Sequence, residues 1–450
     1  MLVQTTLLTV MLVLTAIGPA MTDSVRAQSL ESRVEAYLKS YLETGNFSGS
    51  ILIAKEGQII LSKGYGLADH DTGTPNGPET VYHLASVSRI FTSAAIVLLE
   101  QQGKLSVDDP LSKYLPEWPR GDEITIHHLL TLSAGFPNIN SMPGYFFWQQ
   151  SQQTPESLVE KFRDLPLEFE PGTRTVHSNS NYNVLALLIE RISGRSYGKF
   201  LEDEILVPLQ MHQTAHHASK DQAIPHEAIG YAPAGLADVV PAPLIDWSVK
   251  TGNGSMVSTT EDLYRLDRDL VHLRLFRYPA KKKLFTEHFP NNGYGWFLDR
   301  RFGTKEIYIN GGSPGFGSFW GRSADNDVTV IVLGNMYNNV PNTIGRDLIA
   351  MVMGEAVEPP QILREPPDPA LLAELIGAYQ FGPDFYNPNG TVKVTVKNGH
   401  LFNGAHWLMP TAKGKLHFVH RRYWSDLVFH RGDDGKIVEL RYDRYVGKKK

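Results

Sequence analysis

Residues 82–105, YHLASVSRIFTSAAIVLLEQQGKL, form the stretch that decides the fold. Its apolar side chains recur at helical spacing, and no Gly or Pro interrupts Ser88 to Gln102, so the pattern predicts a buried helix. Ser86 and Ser88 stand at the start of this helix, where a hydroxyl can cap a backbone N–H and where the helix dipole favours developing negative charge. Taken alone, such a serine is most often an N-cap, so a catalytic role needs support from the rest of the chain.

The composition is that of an ordinary globular protein and excludes several kinds of function. The 450 residues are 42% hydrophobic and 20% charged, with a net charge of −5, which gives no electrostatic footprint for nucleic acid. The chain has no cysteine, which excludes disulfides, a thiol nucleophile and cysteine-ligated metal sites. We therefore expect no nucleic-acid partner and no cofactor.

The N-terminus resembles a secretory signal. Thr5 to Met21 is an apolar run too short for a confident membrane span, and Val25-Arg26-Ala27 fits a small-x-small cleavage site. We predict a signal peptide over residues 1–27 and a secreted or periplasmic protein. The first six residues hold no Lys or Arg, so an uncleaved anchor remains the alternative. No later run has the length of a membrane span.

The pattern of the following residues predicts an α+β domain over residues 28–356. Helical spacing recurs in three further segments, and the start of the domain reads as a β-hairpin around Glu56-Gly57. Short β-prone runs near its end suggest an antiparallel sheet joined by that hairpin and flanked by helices. The helical segments are Leu30–Thr44, Val184–Ser193 and Thr259–Leu273, with Thr259 as N-cap; the β-prone runs are Gly49–Gly66, Tyr294–Phe297, Glu306–Ile309, Gly317–Gly321 and Val328–Leu333.

A second, smaller domain is expected at the C-terminus. Residues 357–369, VEPPQILREPPDP, contain five prolines and predict an extended linker. From Leu371 a short helix leads into β-like runs separated by Asn-Gly, Lys-Gly and Asp-Gly turns. Residues 370–450 should form a small antiparallel β-domain.

The ordered features of residues 31 to 352 resemble the serine β-lactamase and penicillin-binding-protein-like hydrolases, in their esterase and D-aminopeptidase branch. The resemblance implies a β-lactamase/transpeptidase-like sheet flanked by helices, a C-terminal β-barrel-like domain and serine hydrolase activity. The segments that carry it, in the family's order, are GYGLAD (64–69), the run from residue 82 to 116, ITIHHLLTLSAGFP (124–137), PGTRTVHSNSNYNVLALLIERISG (171–194), GNGSMVSTTEDL (252–263), YGWFL (294–298), INGGSPGFGSF (309–319) and VTVIVLGN (328–335).

The chain departs from the family in the first catalytic motif, Ser-x-x-Lys. The matching residues are Ser86-Val87-Ser88-Arg89. In the family the lysine sits one helical turn from the nucleophilic serine and takes its proton. An arginine is effectively never deprotonated, so Arg89 can stabilise a Ser86 alkoxide electrostatically but cannot act as its base.

The second family motif, Tyr-x-Asn, also differs. It becomes His177-Ser178-Asn179, with Asn179 keeping the amide that orients substrate in the family. Histidine suits general base work near neutral pH, so Ser86 and His177 could form a dyad. The alternative is that His177 merely fills the vacated tyrosine site. Tyr182, further along, is expected to pack on the following helix.

The third motif, Lys-Thr-Gly or His-x-Gly, becomes Ile309-Asn310-Gly311. No charge remains there to meet a substrate carboxylate, so an uncharged ester fits better than a β-lactam or a D,D-peptide. By resemblance, Ile309, Asn310 and Gly311 line the substrate site. The family's oxyanion hole uses the backbone N–H of the serine and a donor from this strand, which we expect near residues 315–317.

Other polar and aromatic candidates have ordinary explanations. His127-His128 and His216-His217 lack a third metal ligand at a recognisable spacing, so no metal site is predicted. Aromatic side chains could line an acyl pocket, although core packing is the more common role. These aromatic residues are Phe146, Phe147, Trp148, Trp247 and Trp296.

Together these features lead to two functional hypotheses. The first is an exported hydrolase that cleaves a small-molecule ester, amide or peptide through an acyl-enzyme on Ser86, with His177 as its base. The second is a catalytically inactive family member that binds a peptide or another ligand. Ser86 far from His177, or a groove filled by residues 146–148, would favour the second hypothesis.

Overall fold

The computed structural model describes residues 29–219, 221–387 and 389–450. The predicted signal peptide at residues 1–27 lies outside these ranges, and its cleavage stays a prediction. Within the described ranges, no helix is both long enough and apolar enough to cross a membrane.

Helices in the described part of the chain begin and end near the boundaries that the sequence predicts. The helices are α1 Leu30–Glu43, α2 Arg89–Gln101, α3 Ile126–Leu130, α4 Tyr145–Trp148, α5 Pro155–Val159, α6 Ser180–Ser193, α7 Tyr197–Leu201, α8 Thr260–His272, α9 Tyr278–Leu284, α10 Val340–Val352 and α11 Pro369–Leu375. Helix α8 is capped as predicted, because the Thr259 hydroxyl accepts a hydrogen bond from Asp262 N at 3.2 Å.

The strands fall into two groups, one on each side of α11. Those before it are β1 Gly49–Lys55, β2 Gln58–Tyr65, β3 Leu67–Asp69, β4 Thr74–Pro75, β5 Tyr82–His83, β6 Ala215–His216, β7 Tyr231–Ala234, β8 Asp238–Pro241, β9 Met256–Ser258, β10 Phe297–Arg301, β11 Thr304–Ser313, β12 Phe316–Ser323 and β13 Val328–Gly334. Those after it are β14 Gly377–Gln380, β15 Thr391–Lys397, β16 His400–Asn403, β17 His406–Pro410, β18 His417–His420, β19 Asp426–Arg431, β20 Ile437–Tyr442 and β21 Tyr445–Lys449.

The main sheet has six antiparallel strands in the order β10-β11-β12-β13-β1-β2. The predicted hairpin forms β1 and β2, and β1 also pairs with β13, which places Gly49 opposite Gly334. This arrangement confirms the α+β prediction. The expected strand at Tyr294–Phe297 is wrong in its boundaries: the strand begins at Phe297, and Trp296 packs into the core beside Trp320.

Each face of this sheet has its own apolar core. Helices α1 and α10 cover one face, where side chains such as Val34 and Leu348 meet Val332. Helices α2, α6 and α8 belong to the core on the other face, which includes Leu52 and Ile331. The candidate site described below lies at the N-terminal end of α2, a helix that is buried along nearly its whole length.

The turn before α2 differs from the predicted N-cap. Residues Ala85–Ser88 form a single 3-10 turn, and neither Ser86 nor Ser88 caps a helix with its side chain. Ser88 Oγ instead accepts a hydrogen bond from Met256 N at 3.0 Å, which ties the turn to β9. The capping hypothesis is wrong because the 3-10 turn continues directly into α2 and leaves Ser86 inside helical geometry.

The strands after α11 close into an eight-stranded antiparallel barrel, in which β14 pairs with both β15 and β21. The barrel encloses its own apolar cluster. Arg421, fully buried, joins the barrel to the first domain, since its guanidinium donates to the carbonyls of Gly235 and Asp238 at 3.1 and 2.9 Å. The barrel thus packs beside the β7–β8 hairpin of the main domain.

Candidate active site

Ser86 is held on a strained turn. The residue before it, Ala85, has φ of 47°, a left-handed conformation that costs a non-glycine residue about 1 kcal/mol or more. Neighbouring segments fix this turn: Leu84 N donates to Met256 O at 2.9 Å, and Ser318 Oγ donates to Leu84 O at 2.7 Å. Strain maintained by surrounding contacts is common at functional sites.

Strand β11 approaches Ser86 through Gly311. A β-carbon on Gly311 would lie 2.7 Å from Ser86 N and 2.6 Å from Ser318 Oγ, so only glycine fits. This contact keeps side chains away from the Ser86 amide, which is the arrangement that an oxyanion hole of backbone donors requires. The expectation of a second donor near residues 315–317 stays a prediction; Gly315 itself packs against Gly230.

Arg89 contacts the backbone of the Ser86 turn and the Tyr182 ring. Its Nε donates to the Ser86 carbonyl at 3.3 Å, and its guanidinium carbon lies 5.7 Å from the Tyr182 ring centroid. Burial lowers the pKa of Arg89, although an arginine keeps its proton in proteins. Tyr182 packs on α6 as predicted, fully buried and hydrogen-bonded to Ser93.

His177 stands close enough to the site to sense its charges. Burial by surrounding protein, followed by the positive charges of Arg89 and Lys250, lowers the pKa of His177 to about 4, although its side chain keeps an exposed face. The imidazole is therefore neutral at pH 7. Among the described residues, His177 makes no hydrogen bond to Ser86, and the dyad stays a hypothesis.

A chain of hydrogen bonds runs from Asn179 to a lysine that sequence reasoning missed. Asn179 Nδ2 donates to Asn140 Oδ1 at 2.9 Å, and Asn140 Nδ2 donates to Tyr145 Oη at 3.3 Å. The same Tyr145 oxygen accepts from Lys250 Nζ at 2.5 Å. Helix α4 and the turn Trp247–Lys250 supply these last two residues.

Lys250 is a buried amine with no counter-charge. Its exposed fraction is 6%, and no carboxylate lies within 4 Å of Nζ in the described part of the chain. Burial lowers the pKa of Lys250 to about 8. The only signal in the sequence is a lone lysine in the apolar, glycine-rich run DWSVKTGNG at 246–254.

The other two residues of the third motif do not reach Ser86. Ile309 is fully buried in the core, so its side chain cannot contact a substrate in this conformation. Asn310 points to the opposite face of the sheet, where its Nδ2 donates to Asn339 at 3.4 Å. The alternation of side chains along a strand explains why only Gly311 and Ile309 share the face next to Ser86.

A groove of about 720 Å³ opens next to Gly312, between the main domain and the barrel. Arg422 lies over the Tyr337 ring, 4.5 Å from its centroid. The remaining walls are largely aromatic or polar: Asn338, Asn339, Phe385, Tyr386, Asn387, Gly390, Thr391, Val392, Asn403, Tyr423, Ser425 and Tyr442.

Residues 146–148 do not fill this region. Phe146 and Phe147 are 65% and 78% exposed, and Trp148 packs under Lys161. The inward side chain of α4 is Tyr145. The side chains of residues 146–148 therefore leave this region open. The hypothesis of an inactive protein with a blocked groove had required them to fill it.

The histidines singled out in the sequence have other partners. His127 Nδ1 shares a hydrogen bond with Tyr294 at 2.7 Å, and His128 completes the cap of α3. His217 meets His83 at 3.3 Å, and Glu227 meets His83 at 2.7 Å, so these three groups could surround a metal ion.

The outer imidazole nitrogens of this His–His–Glu cluster argue for hydrogen bonding rather than metal binding. His83 Nδ1 and His217 Nε2 are buried without partners among the described residues. Metal-bound imidazoles usually donate their second N–H to a carbonyl or carboxylate. The cluster is therefore a hydrogen-bonded group behind residues Ala85–Ser88. This segment is called the nucleophile turn below, because it carries the candidate nucleophile Ser86.

Comparison with known proteins agrees with this geometry. The family model described as Beta-lactamase matches residues 30–352, more than half of the chain. The chain therefore belongs to the β-lactamase family, the serine hydrolase family that includes penicillin-binding-protein-like members.

Two relatives of known sequence share this region. PbpX of Bacillus subtilis (strain 168) is 30% identical over 304 residues, which are 67% of this chain and 74% of PbpX. Protein flp of Staphylococcus aureus (strain MW2) is 30% identical over 322 residues, which cover 68% of this chain and 63% of flp.

Solved structures extend the likeness to the barrel. The octameric penicillin-binding protein homologue from Pyrococcus abyssi has a TM-score of 0.65 at 25% identity and covers 93% of this chain and 99% of its own. D-amino acid amidase from Ochrobactrum anthropi SV3 has a TM-score of 0.64 at 22% identity and covers 72% of this chain and 99% of its own, a likeness of fold alone.

Proposed function

We propose that this protein is a serine hydrolase that cleaves an ester or amide by acyl transfer through Ser86. The observation that carries the proposal is the placement of Ser86 at the start of α2, with its amide against Gly311 and its carbonyl hydrogen-bonded to Arg89. Backbone donors there can stabilise the oxyanion of a tetrahedral intermediate, a contribution of about 3 kcal/mol per donor in comparable sites.

The groove beside Gly312 favours a small-molecule ester, amide or peptide as substrate. Its aromatic walls suit an apolar acyl or side-chain group. The buried Ile309 offers no charge for a substrate carboxylate, which favours an uncharged ester over a β-lactam. The name D-amino acid amidase, carried by a neighbour in fold, is consistent with amide substrates of similar size.

We also propose that the protein is exported and acts as a secreted or periplasmic enzyme. This rests on the apolar run and the cleavage-like Val25-Arg26-Ala27 within residues 1–27. Intact-mass measurement of the protein purified from its natural host would show loss of residues 1–27, whereas an unprocessed N-terminus would favour the anchor alternative.

The second candidate function is a catalytically inactive ligand-binding protein. Arg89 in place of the usual lysine, and the lack of a hydrogen bond between Ser86 and His177 in the described part of the chain, favour it. This protein would keep the groove and bind a peptide or another small ligand without turnover.

Labelling with a fluorophosphonate probe separates the two candidates. We expect the folded wild type to be labelled on Ser86 and Ser86→Ala to be unlabelled. Ser88→Ala is the matched control, since Ser88 Oγ is occupied by Met256 N. Labelling that is also lost in His177→Ala would support the Ser86–His177 dyad. Absence of labelling in folded wild type would reject the hydrolase.

A further inference from the structure

We infer that Lys250 is the proton acceptor for Ser86 and that Tyr145 orients it. The inference rests on the proposed function, because it assigns the base of the same acyl-transfer site. Lys250, in a segment distant in sequence, thus supplies the amine that is missing at position 89, where the chain has an arginine.

The first support is the position of Lys250 beside the nucleophile turn. A β-carbon on Gly254 would lie 3.3 Å from Lys250 Cβ and 3.7 Å from the carbonyl carbon and oxygen of Ala85. Gly254 thus lies between the Lys250 stem and the peptide that joins Ala85 to Ser86. The absence of a side chain at residue 254 brings the two segments together.

The second support is that no carboxylate pairs with the Lys250 charge among the residues that the structure describes. Surface lysines of this protein pair with carboxylates, as Lys113 does with Asp109 at 2.9 Å. Asp246, four residues before Lys250, is directed instead at Ser248 N and Oγ. A buried amine without a counter-ion is costly to fold, and such groups are concentrated at catalytic sites.

The third support is the orientation supplied by Tyr145. Its oxygen accepts hydrogen bonds from both Lys250 Nζ and Asn140 Nδ2, so its lone pairs are occupied. Burial raises the pKa of Tyr145, which keeps the phenol neutral. A neutral Lys250 amine can give one N–H to Tyr145 and keep its lone pair for the Ser86 proton.

Burial favours the neutral form of Lys250 and makes it the best-matched base among its basic neighbours. Arg89 and Lys250 both act on His177, and both lower its pKa. Arg89 cannot give up its proton, and His177, with a pKa of about 4, is a weak acceptor. Lys250, with a pKa of about 8, matches the operating range of a general base near neutral pH.

The proton balance of the reaction follows directly. The Lys250 amine takes the Ser86 hydroxyl proton as Oγ bonds to the substrate carbonyl carbon, which gives an ammonium and a tetrahedral oxyanion. The ammonium returns its proton to the leaving alcohol or amine as the carbonyl–heteroatom bond breaks. In the second half, the neutral amine takes a proton from water as the water oxygen attacks the acyl carbon. The resulting ammonium returns this proton to Ser86 Oγ as the bond between Oγ and the acyl carbon breaks, which restores the hydroxyl and the neutral amine.

The first experiment is the pH dependence of fluorophosphonate labelling and of p-nitrophenyl acetate hydrolysis by the wild type. A base must be deprotonated, so the rate should rise with pH and reach half of its plateau near pH 8 if Lys250 accepts the proton. A midpoint near pH 4 would assign the proton to His177 and overturn the inference. This measurement needs no variant.

The second experiment uses substitutions. Lys250→Met should lower kcat by about 10²- to 10⁴-fold with little change in KM. Lys250→Arg should lower kcat to the same extent, because arginine keeps the charge but cannot accept a proton. Lys113→Met is the control and should keep the midpoint near pH 8. Since the chain has no cysteine, Lys250→Cys can be alkylated with 2-bromoethylamine at a single site to restore an amine and activity.

The outcomes separate this inference from the proposed function. Labelling of Ser86 that is unchanged in Lys250→Met would overturn the role of Lys250 and leave the hydrolase intact. A rise in KM alone would make Lys250 a substrate-binding residue and also overturn the inference. Folded wild type that is not labelled at any pH would reject the hydrolase and, with it, a base for Ser86.

Discussion

Gly311 and Ser86 lie so close that no other residue fits at position 311: an added β-carbon would come within 2.7 Å of Ser86 N and of Leu84 O. Both of these contacts are to backbone atoms, which cannot rotate away as a side chain can. The fit of β11 against the nucleophile turn is therefore set by the absence of one methyl group.

Gly311→Ala adds only one methyl group, but it should reduce activity strongly. Displacement of the backbone around the Ser86 amide should lower kcat by about 10²- to 10³-fold, as loss of an oxyanion donor does. The measurement is the rate of p-nitrophenyl acetate hydrolysis together with the thermal midpoint of each protein.

Gly312→Ala is the matched control for this substitution. A β-carbon at Gly312 would meet only Tyr337, at an ordinary 3.7 Å. A near wild-type kcat is expected for it, with any change confined to KM, because Gly312 lines the groove. Equal rates in the two variants would show that the approach of β11 does not shape the oxyanion site.

Tyr145→Phe should move the pH dependence without abolishing it. The Tyr145 oxygen accepts from Lys250 Nζ at 2.5 Å, so its loss removes a hydrogen bond that favours the ammonium form. A hydrogen bond to a charged group contributes about 1.5–3 kcal/mol, so the rising limb should shift to lower pH by about one unit. Phe147→Ala, on the exposed side of the same helix, should leave the limb in place. A shift to higher pH would contradict this geometry.

Lys250→Met should yield a more stable protein. Burial lowers the pKa of Lys250 from 10.5 to about 8, so below pH 8 the folded state carries the full cost of a buried ammonium. Removal of that charge should raise the free energy of unfolding at pH 7 by up to about 3 kcal/mol, less what the lost Tyr145 contact contributed.

The pH dependence of that gain provides its test. Between pH 8 and 10.5 the unfolded wild type binds more protons than the folded one, so wild-type stability rises with pH. The difference between the two proteins should accordingly shrink across this window in urea titrations. A difference that stays constant from pH 7 to pH 10.5 would show that the gain is not electrostatic.

Arg421→Met should weaken the attachment of the barrel to the main domain. The substitution removes the hydrogen bonds that the guanidinium donates to the carbonyls of Gly235 and Asp238, at a cost of about 1.5–3 kcal/mol for a bond to a charged group. Calorimetry should show a lower midpoint or two separate transitions. Arg444, whose only hydrogen bond within the described ranges goes to its neighbour Tyr445, provides the control Arg444→Met, and its melting curve should match wild type.

The sequence predicted the fold well because the fold depends on local patterns. Helical spacing located α2 and α6, Gly194 ended α6 with φ of 69°, and the turn at Glu56-Gly57 located the first hairpin. The Asn-Gly, Lys-Gly and Asp-Gly turns predicted the antiparallel strands that form the closed barrel. These signals lie within a few residues of the structure they specify.

The site was predicted only in part because its groups come from distant segments. Ser86 and Gly311 were found by their motifs, and both lie at the nucleophile turn. Lys250 and Tyr145 are 105 residues apart and occupy no motif position, so only the packing of α4 against the Trp247–Lys250 turn brings them together. The sequence placed Ile309 at the substrate site, yet its side chain is buried. Spacing along a strand predicts on which face of the sheet a side chain lies, but it does not predict whether that side chain is covered by other parts of the chain.

The pairing of Gly49 with Gly334 also constrains the order in which the chain can fold. Strand β1 lies in the interior of the sheet, yet its partner β13 is made only after almost the whole domain has been synthesised. Until then the hairpin of β1 and β2 presents an apolar edge with nothing beside it, a surface prone to wrong pairing. Contacts this distant in sequence also slow folding. Assembly of the nucleophile turn, which leans on β11 and β12, must therefore wait for the end of the domain.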